Sequence, residues 1–467
     1  YISKNNTNVQ SLNEKDKNYL VEIGRKTWKY FEDNINEYNN FLPPDNYQES
    51  RKQKVANRTS PTNIGLGLLE VVSAYDLGYI DEKKCIDLIE KMLFTIEKLP
   101  KWCGHLYNWY NTVTLEPLMP RYISTVDSGN FVGYLYTLKS FLKGIPKTER
   151  VEVLIQIIDK LITSTNFLVL YDYKKRIFSI GFNIEENKLT DSYYDLLASE
   201  ARQASLVAIA KRDVPSKHWN ALSRTLTTLN GYKGLISWSG TAFEYLMPSI
   251  NIKSYEGSLL DESCKFMIMS QKEYAKKLDV PWGISEAAFN LKDLNNNYQY
   301  RAFGIPWLGL KRGLDEDVVI SSYSVFLSLI YAQNDSIKNI RRLENEGMLG
   351  KYGFYESVDY TSSRLKPNET KQIVKTYMAH HQGLILLSIN NCVNNKILIN
   401  RFYQNPEIEA IDILLQERMP PKAIVTKEKK EKIEKLKTKD YQNYSERVYT
   451  KVNKDLPTSD VISNGTY

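Results

Sequence analysis

The chain has 467 residues, of which 42% are hydrophobic and 25% charged, close to globular averages, so a disordered or fibrous chain is excluded. The formal charge of +7 invites a nucleic-acid reading, but eight Lys against four carboxylates between Lys422 and Asp440 supply a surplus of four, which leaves no basic stripe in the body. The unusual residue is tyrosine, 33 against 15 Phe and 7 Trp; its flat apolar face and hydroxyl suit contact with a half-polar ligand such as a sugar.

Residues 1–17 read as a leader segment without a targeting-type apolar core. From 18 to 421 the apolar spacing is repeatedly helical. Stripes at three-and-four spacing run over Ile64 to Tyr79, Cys85 to Ile96, Val151 to Ile162, Tyr193 to Ala210, Trp219 to Leu229, Ser263 to Lys277, Val318 to Ala332, Ile373 to Asn391 and Glu407 to Leu415. No stretch reads as the ~20 apolar residues that cross a bilayer. The connections are alternately short and long, and the long ones are rich in Gly, Pro, Trp, Tyr and Asn. This pattern predicts one large all-α domain over 18–421, a toroid of helix pairs with decorated loops at one end. Residues 422–467 read as a charged linker or tail, and the whole as a segment of a longer polypeptide.

Cys85, Cys103, Cys264 and Cys392 lie far apart with no CxxC spacing, which suggests neither a zinc site nor a disulfide framework. The chain has no GxGxxG after a strand, no Walker-type loop, no GxSxG elbow and no HExxH. What remains is carboxylates in aromatic and glycine-rich surroundings. Glu286, in Pro281-Trp-Gly-Ile-Ser-Glu-Ala-Ala-Phe289, would have one dry flank and one facing a cleft, an environment that tunes a carboxyl group. Glu200, in Ala198-Ser-Glu-Ala-Arg202, lies among small residues that leave room for a ligand. Asp127, Glu244, Glu356 and Asp359 are further candidates. Two carboxylates flanking an aromatic cleft are the minimum for glycosidic bond chemistry. His380 and His381 are adjacent, so on a helix their rings point about 100° apart and suit hydrogen bonding near a ligand better than one shared metal. Arg58 and Arg364 are the expected polar fingers, and Trp109, Tyr110, Trp238, Trp282 and Trp307 the expected stacking surfaces.

Together, Leu42-Pro-Pro-Asp-Asn46, Asn57-Arg-Thr-Ser-Pro-Thr-Asn-Ile-Gly65, Asn108-Trp-Tyr110, Ser124-Thr-Val-Asp-Ser-Gly-Asn130, Ala198-Ser-Glu-Ala-Arg202, Trp238-Ser-Gly-Thr-Ala-Phe-Glu-Tyr-Leu-Met-Pro248, Gly283-Ile-Ser-Glu-Ala-Ala-Phe289, Gly304-Ile-Pro-Trp-Leu-Gly-Leu-Lys-Arg-Gly313 and Thr376-Tyr-Met-Ala-His-His-Gln-Gly383 resemble, in order, the central cyclization domain of bacterial cyclic β-1,2-glucan synthases. That domain belongs to a glycoamylase-like group related to endo-β-1,2-glucanases. The resemblance implies an (α/α)6 barrel and an anomer-retaining transglycosylation that closes linear β-1,2-glucan into a ring. Glu286 then looks like the nucleophile, Glu200 like the acid/base and Asp127 like a supporting carboxylate.

The same resemblance places Arg58, Trp109, Tyr110, Asn130, Trp238, Glu244, Trp282, Tyr360, Arg364, Tyr377, His380 and His381 against substrate, with no cofactor and no metal. It implies glycosyltransferase and phosphorylase-like domains in the same parent chain, on the cytoplasmic side of an inner membrane. The alternatives are an inverting endo-β-1,2-glucanase and a non-catalytic glucan-binding domain of a larger synthase.

Overall fold

The computed structural model describes residues 12–420 and Val425, so most of the expected leader and of the lysine-rich tail lie outside the described residues. Helices come in alternation. α1 (Glu14–Asn34), α3 (Glu82–Lys98), α5 (Glu149–Ser164), α7 (Lys217–Ala221), α9 (Leu259–Leu278) and α11 (Gln333–Asn345) alternate with α2 (Pro61–Asp76), α4 (Thr125–Lys143), α6 (Arg202–Ala210), α8 (Ala242–Leu246), α10 (Tyr323–Leu327) and α12 (Ala379–Val393).

The two sets differ in how they are buried. The long helices of the first set bury one stripe, as Val151, Leu154, Ile157, Ile158, Leu161 and Ile162 do on α5, while α6, α8 and α10 are buried on every side. A helix buried all round is the inner layer of a two-layer fold, and an amphipathic one the outer layer. The inner helices close a ring: α2 packs on α4, α4 on α6, α8 on α10, α10 on α12 and α12 on α2. The remaining gap is joined by the buried Arg202 of α6, whose guanidinium donates to the carbonyls of Glu244 and Tyr245 on α8. Small residues permit the closest approaches: a Cβ on Gly129 of α4 would lie 2.2 Å from that of Ala204 on α6.

Connections from inner to outer helices run from five to twelve residues (77–81, 144–148, 211–216, 247–258, 328–332), whereas those from outer to inner are longer (35–60, 99–124, 165–201, 222–241, 279–322, 346–378). All the long loops therefore meet at the N-terminal ends of the inner helices, as the alternation of loop lengths predicts. They are stiffened by small antiparallel sheets. Asn46–Gln48 pairs with Val55–Ala56 and Thr376–Met378; Ala287–Lys292 pairs with Tyr298–Arg301; Ser357–Asp359 pairs with Val319–Ser321 and Gln372–Val374.

The expected stripes need correction where tertiary pairing overrides local pattern. Tyr193–Tyr194, Leu226–Leu229, Val319–Ser321 and Gln372–Met378 fall in or beside short strands, so four helices start later or stop earlier than the periodicity suggests. Periodicity does not mark α4, because its apolar residues run all round rather than along one stripe. One stretch, Glu149–Leu170, is by length and composition apolar enough to cross a membrane, contrary to expectation. Here its apolar face packs on α3 and α4.

Candidate active site

Glu286 ends the loop that follows α9 and directly precedes strand Ala287–Lys292. Gly283, three residues earlier, has φ +138°, and a Cβ there would lie 2.8 Å from the Ser321 carbonyl oxygen, so this turn reaches the inner ring only with glycine. The neighbouring backbone is pinned on both sides. Ser285 Oγ is 2.8 Å from the Tyr323 hydroxyl, which also donates to the Glu286 carbonyl at 3.1 Å. The Glu286 carboxylate is thereby held toward a cavity of about 550 Å³.

Glu200 stands two residues before α6 and lines the same cavity, with Tyr193, Tyr194, Asp195, Trp238 and Ser239. Arg202 Nη1 also donates to the Ser199 carbonyl, which fixes the turn that presents Glu200. Ser199 Oγ donates to the Glu200 carboxylate at 3.2 Å. Burial, reinforced by Glu244 and Glu286, raises the Glu200 carboxyl to about 8. Glu286 is also raised by burial, to about 7, but the Tyr300 hydroxyl donates to its Oε1 at 2.8 Å and opposes the rise. One carboxyl of the pair thus has a phenolic donor aimed at it and the other has only a serine.

Glu244 also lines the cavity, yet its carboxylate is fully engaged. It accepts from Ser237 Oγ, Ser239 N, Thr241 N and Thr241 Oγ1 in a capping box at the start of α8. Asp127, in the first turn of α4, accepts from Thr62 N and Asn108 Nδ2. Tyr194, which lines the first cavity with Glu200 and Glu286, is raised by burial and by the negative charges of Glu200, Asp127 and Glu286. Asn130 lies one turn deeper, bonded to Thr62 Oγ1 and Gln203 Nε2.

A second cavity of about 440 Å³ opens beside Tyr300 and Ala288, lined by polar side chains including Gln48, Arg51, Asn57, Arg58 and Asp293. Arg58 is held by Asp45 and lies 5.0 Å over the Trp109 ring. His380 and His381 open α12, and their ring nitrogens Nε2 lie 3.4 and 3.3 Å from the Tyr300 hydroxyl. Burial lowers the His380 imidazole to about 3, so both rings are neutral at physiological pH.

The structure corrects several expected substrate contacts. Tyr110 and Tyr377 are fully buried core residues; the Tyr110 hydroxyl donates to the Pro100 carbonyl, and Tyr377 packs among Tyr47, Tyr352 and Tyr355. Trp282 is buried with its backbone tied to Asn339, and Trp307 packs edge-on against Tyr274 of α9 under Lys277. Arg364 is clamped by Asp317, Asp359 and Thr361, and Tyr360 lines neither cavity. Much of the tyrosine excess is packing, with Tyr30, Tyr134, Tyr245 and Tyr323 fully buried, although Tyr193, Tyr194, Tyr298 and Tyr300 do face the cavities. Nothing in the sequence marks Tyr300, because strand Tyr298–Arg301 carries no motif and reaches the site only through pairing with the strand after Glu286. Among the described residues no group of three or more His, Cys, Asp or Glu could hold a metal ion.

Known proteins bear on this geometry. The glycoamylase family model, described as "Putative glucoamylase", matches residues 192–406. Cyclic β-(1,2)-glucan synthase NdvB of Rhizobium meliloti (strain 1021) is 33% identical over 86% of this chain, which spans 18% of that protein's length. An endo-β-1,2-glucanase from Chitinophaga pinensis, solved with sophorotriose and glucose, has a TM-score of 0.70 at 16% identity, covering 86% of this chain and 98% of its own. The enzyme of that name from Talaromyces funiculosus, solved with sophorose, has a TM-score of 0.68 at 12% identity, covering 87% and 95%. The likeness to cyclic β-1,2-glucan synthase and the glycoamylase-like group implied by the collinear motifs is thus present in both sequence and fold.

Proposed function

We propose that this chain is an anomer-retaining transglycosylase that closes linear β-1,2-glucan into a ring, on an (α/α)6 barrel, with Glu286 as nucleophile and Glu200 as acid/base. The observation that carries the chemistry is that both carboxyls face one cavity while only Glu286 receives a phenolic donor. The substrate class rests on the glucan synthase and glucanase likenesses, and the barrel on the closed ring of six inner helices with six outer partners.

The steps follow from those positions. Glu200, protonated, gives its proton to the glycosidic oxygen, directly or through a substrate hydroxyl, while the Glu286 carboxylate attacks C1 and forms a glycosyl ester. Glu200, now ionised, takes the proton of a 2-hydroxyl at the far end of the same glucan, whose oxygen displaces Glu286. The anomeric carbon is inverted twice, so configuration is retained. Water competes at the second step, and the ring forms only if the walls hold the acceptor in line and keep water out. Trp238, half exposed on the cavity wall and oriented by Asp195, offers a stacking face for a sugar ring. Arg58, with Trp109 beneath it, and the other polar groups of the second cavity would bind the continuing chain, Asp127 and Asn130 would support the first cavity, His380 would approach substrate beside Tyr300, and the buried His381 would act through the Tyr300 hydroxyl. The 18% coverage of the synthase supports a larger parent chain; glycosyltransferase and phosphorylase-like domains in it, at the cytoplasmic side of an inner membrane, are what the sequence resemblance implies.

The test is the pair Glu286→Gln and Glu200→Gln with linear β-1,2-glucan. Loss of turnover in both, with azide rescuing Glu286→Ala by forming a glycosyl azide of inverted anomeric configuration, is the expected result. Turnover by either Gln variant at the parent rate would overturn the assignment.

A further inference from the structure

Glu286 has an unusual electrostatic setting for a nucleophile that must be ionised. The charged groups acting on it are the carboxyls of Glu244 and Glu356, and Glu200 shares its cavity, with no cation among them. Its carboxylate is favoured by one hydrogen bond from Tyr300, and what stands behind that hydroxyl decides how firmly the proton points at Glu286.

Behind it lies His381. The Tyr300 oxygen is 3.3 Å from His381 Nε2, and the opposite ring nitrogen, Nδ1, lies 2.8 and 2.9 Å from the two oxygens of Glu356. Both residues are buried, and the imidazole is clamped face to face on the Tyr323 ring, with centroids 3.6 Å apart and planes 13° apart, so it cannot turn over. Glu356 Oε1 accepts from Ala288 N, which leaves Oε2 to carry a proton toward Nδ1. The groups facing this assembly are Tyr323 of α10, His380 and His381 of α12, and Asp45, which already accepts from Arg58, Asn46 and Asn63. With Glu356 surrounded by these groups and raised by burial to about 8, its neutral form is the one present at neutral pH.

We infer that Glu356, His381 and Tyr300 form a hydrogen-bond chain of fixed direction that ends on the nucleophile: Glu356 Oε2–H donates to His381 Nδ1, Nε2–H donates to the Tyr300 oxygen, and the Tyr300 hydroxyl donates to Glu286. This rests on the reading of Glu286 as nucleophile. Along the chain each member donates once and accepts once; the Glu286 oxygen at 2.8 Å is the nearer acceptor for the Tyr300 proton than His380 Nε2 at 3.4 Å, and each bond polarises the next. Glu356 and His381 touch neither cavity's free space, and they are positioning residues that act through Tyr300. When Glu286 becomes an ester the same hydroxyl remains beside its oxygen, ready to favour its departure as a carboxylate in the second step.

The chain makes a prediction that simple packing does not. Glutamine at position 356 keeps the direction, because its amide oxygen accepts from Ala288 and its NH2 donates to Nδ1. The experiment is the pH dependence of kcat/KM on linear β-1,2-glucan for the parent, Tyr300→Phe, Glu356→Gln, Glu356→Ala and Glu286→Gln. Tyr300→Phe should move the acid limb up by about one pH unit, a roughly tenfold loss at pH below the limb. Glu356→Ala should move it the same way, and Glu356→Gln should leave the limb within about 0.3 unit of the parent whatever its effect on rate. A limb that stays put in Tyr300→Phe, or that moves as far in Glu356→Gln as in Glu356→Ala, would overturn the chain. If Glu356→Ala does not fold, Tyr300→Phe and Glu356→Gln still decide. Activity surviving in Glu286→Gln would instead remove the nucleophile reading on which the inference rests.

Discussion

Arg202 Nη1 donates to the Glu244 carbonyl at 2.7 Å, so a buried guanidinium, and not a packed pair of helix faces, joins α6 to α8 beneath the two candidate catalytic carboxyls. Its other donations go to the carbonyls of Ser199 and Tyr245. Replacing it with Met removes three hydrogen bonds from a charged donor, at roughly 1.5–3 kcal/mol each, although the Ser199 carbonyl keeps the backbone N–H of residue 202 and the Tyr245 carbonyl keeps the Cys264 thiol. Arg202→Met is expected to lose at least about 3 kcal/mol in denaturant unfolding, and to lower kcat more than it changes KM because Glu200 follows Ser199.

The activity profile against pH should be a narrow bell. Glu286 must be ionised, so activity falls as pH drops through about 7; Glu200 must be protonated, so it falls again as pH rises through about 8. Because the two carboxyls act on each other, the limbs belong to the pair. A profile flat from pH 5 to 9 would contradict the assignment.

Glu70 of α2 is fully buried and neither carboxyl oxygen has a hydrogen-bond partner, so burial alone drives its proton affinity far above the usual range. A carboxyl whose folded value is raised contributes stability below its unfolded value of about 4.3, and that contribution is lost as pH rises toward the folded value. Glu70→Gln should therefore gain more stability relative to the parent at pH 8 than at pH 5, measured by urea unfolding at both.

Trp238→Ala should raise KM about fivefold, the equivalent of ~1 kcal/mol of ring stacking, with a smaller change in kcat. Isothermal titration of a short β-1,2-glucan against the Glu286→Gln protein checks the same loss without turnover.

Arg364 distinguishes a structural ion pair from a polar finger. Its guanidinium spans Asp359 and Asp317 and is largely buried. Arg364→Met should cost about 3–5 kcal/mol of stability by stranding the buried Asp359 carboxylate, Asp317 keeping Arg301, with KM for glucan unchanged at a temperature where the variant remains folded.

What could be read from the sequence follows from how local each signal is. The outer helices α3, α5 and α9 show a stripe, and the alternation of short and long connections places every decorated loop at one end before any coordinate is known. The inner helices α4, α6 and α10 are apolar or small on all sides, so periodicity either misses them or merges them with flanking strands. Glu200, Glu286 and Trp238 stand out because their neighbours are small or glycine and leave a wall open. Tyr110 and Tyr377 resemble them in sequence yet face the core, since a tyrosine's side of a strand is fixed by pairing partners far away in the chain. Tyr300 and Glu356 acquire meaning only when the strands at 287–292, 298–301 and 357–359 bring them beside α12. That convergence is long-range topology, which spacing does not encode.

The central claim is ring closure through a glycosyl ester, and mass analysis of products from linear β-1,2-glucan tests it most directly. The account predicts products lighter by one water than the linear chains of equal length, with reducing ends lost as the reaction proceeds. Short linear oligomers with a rising count of reducing ends would contradict it.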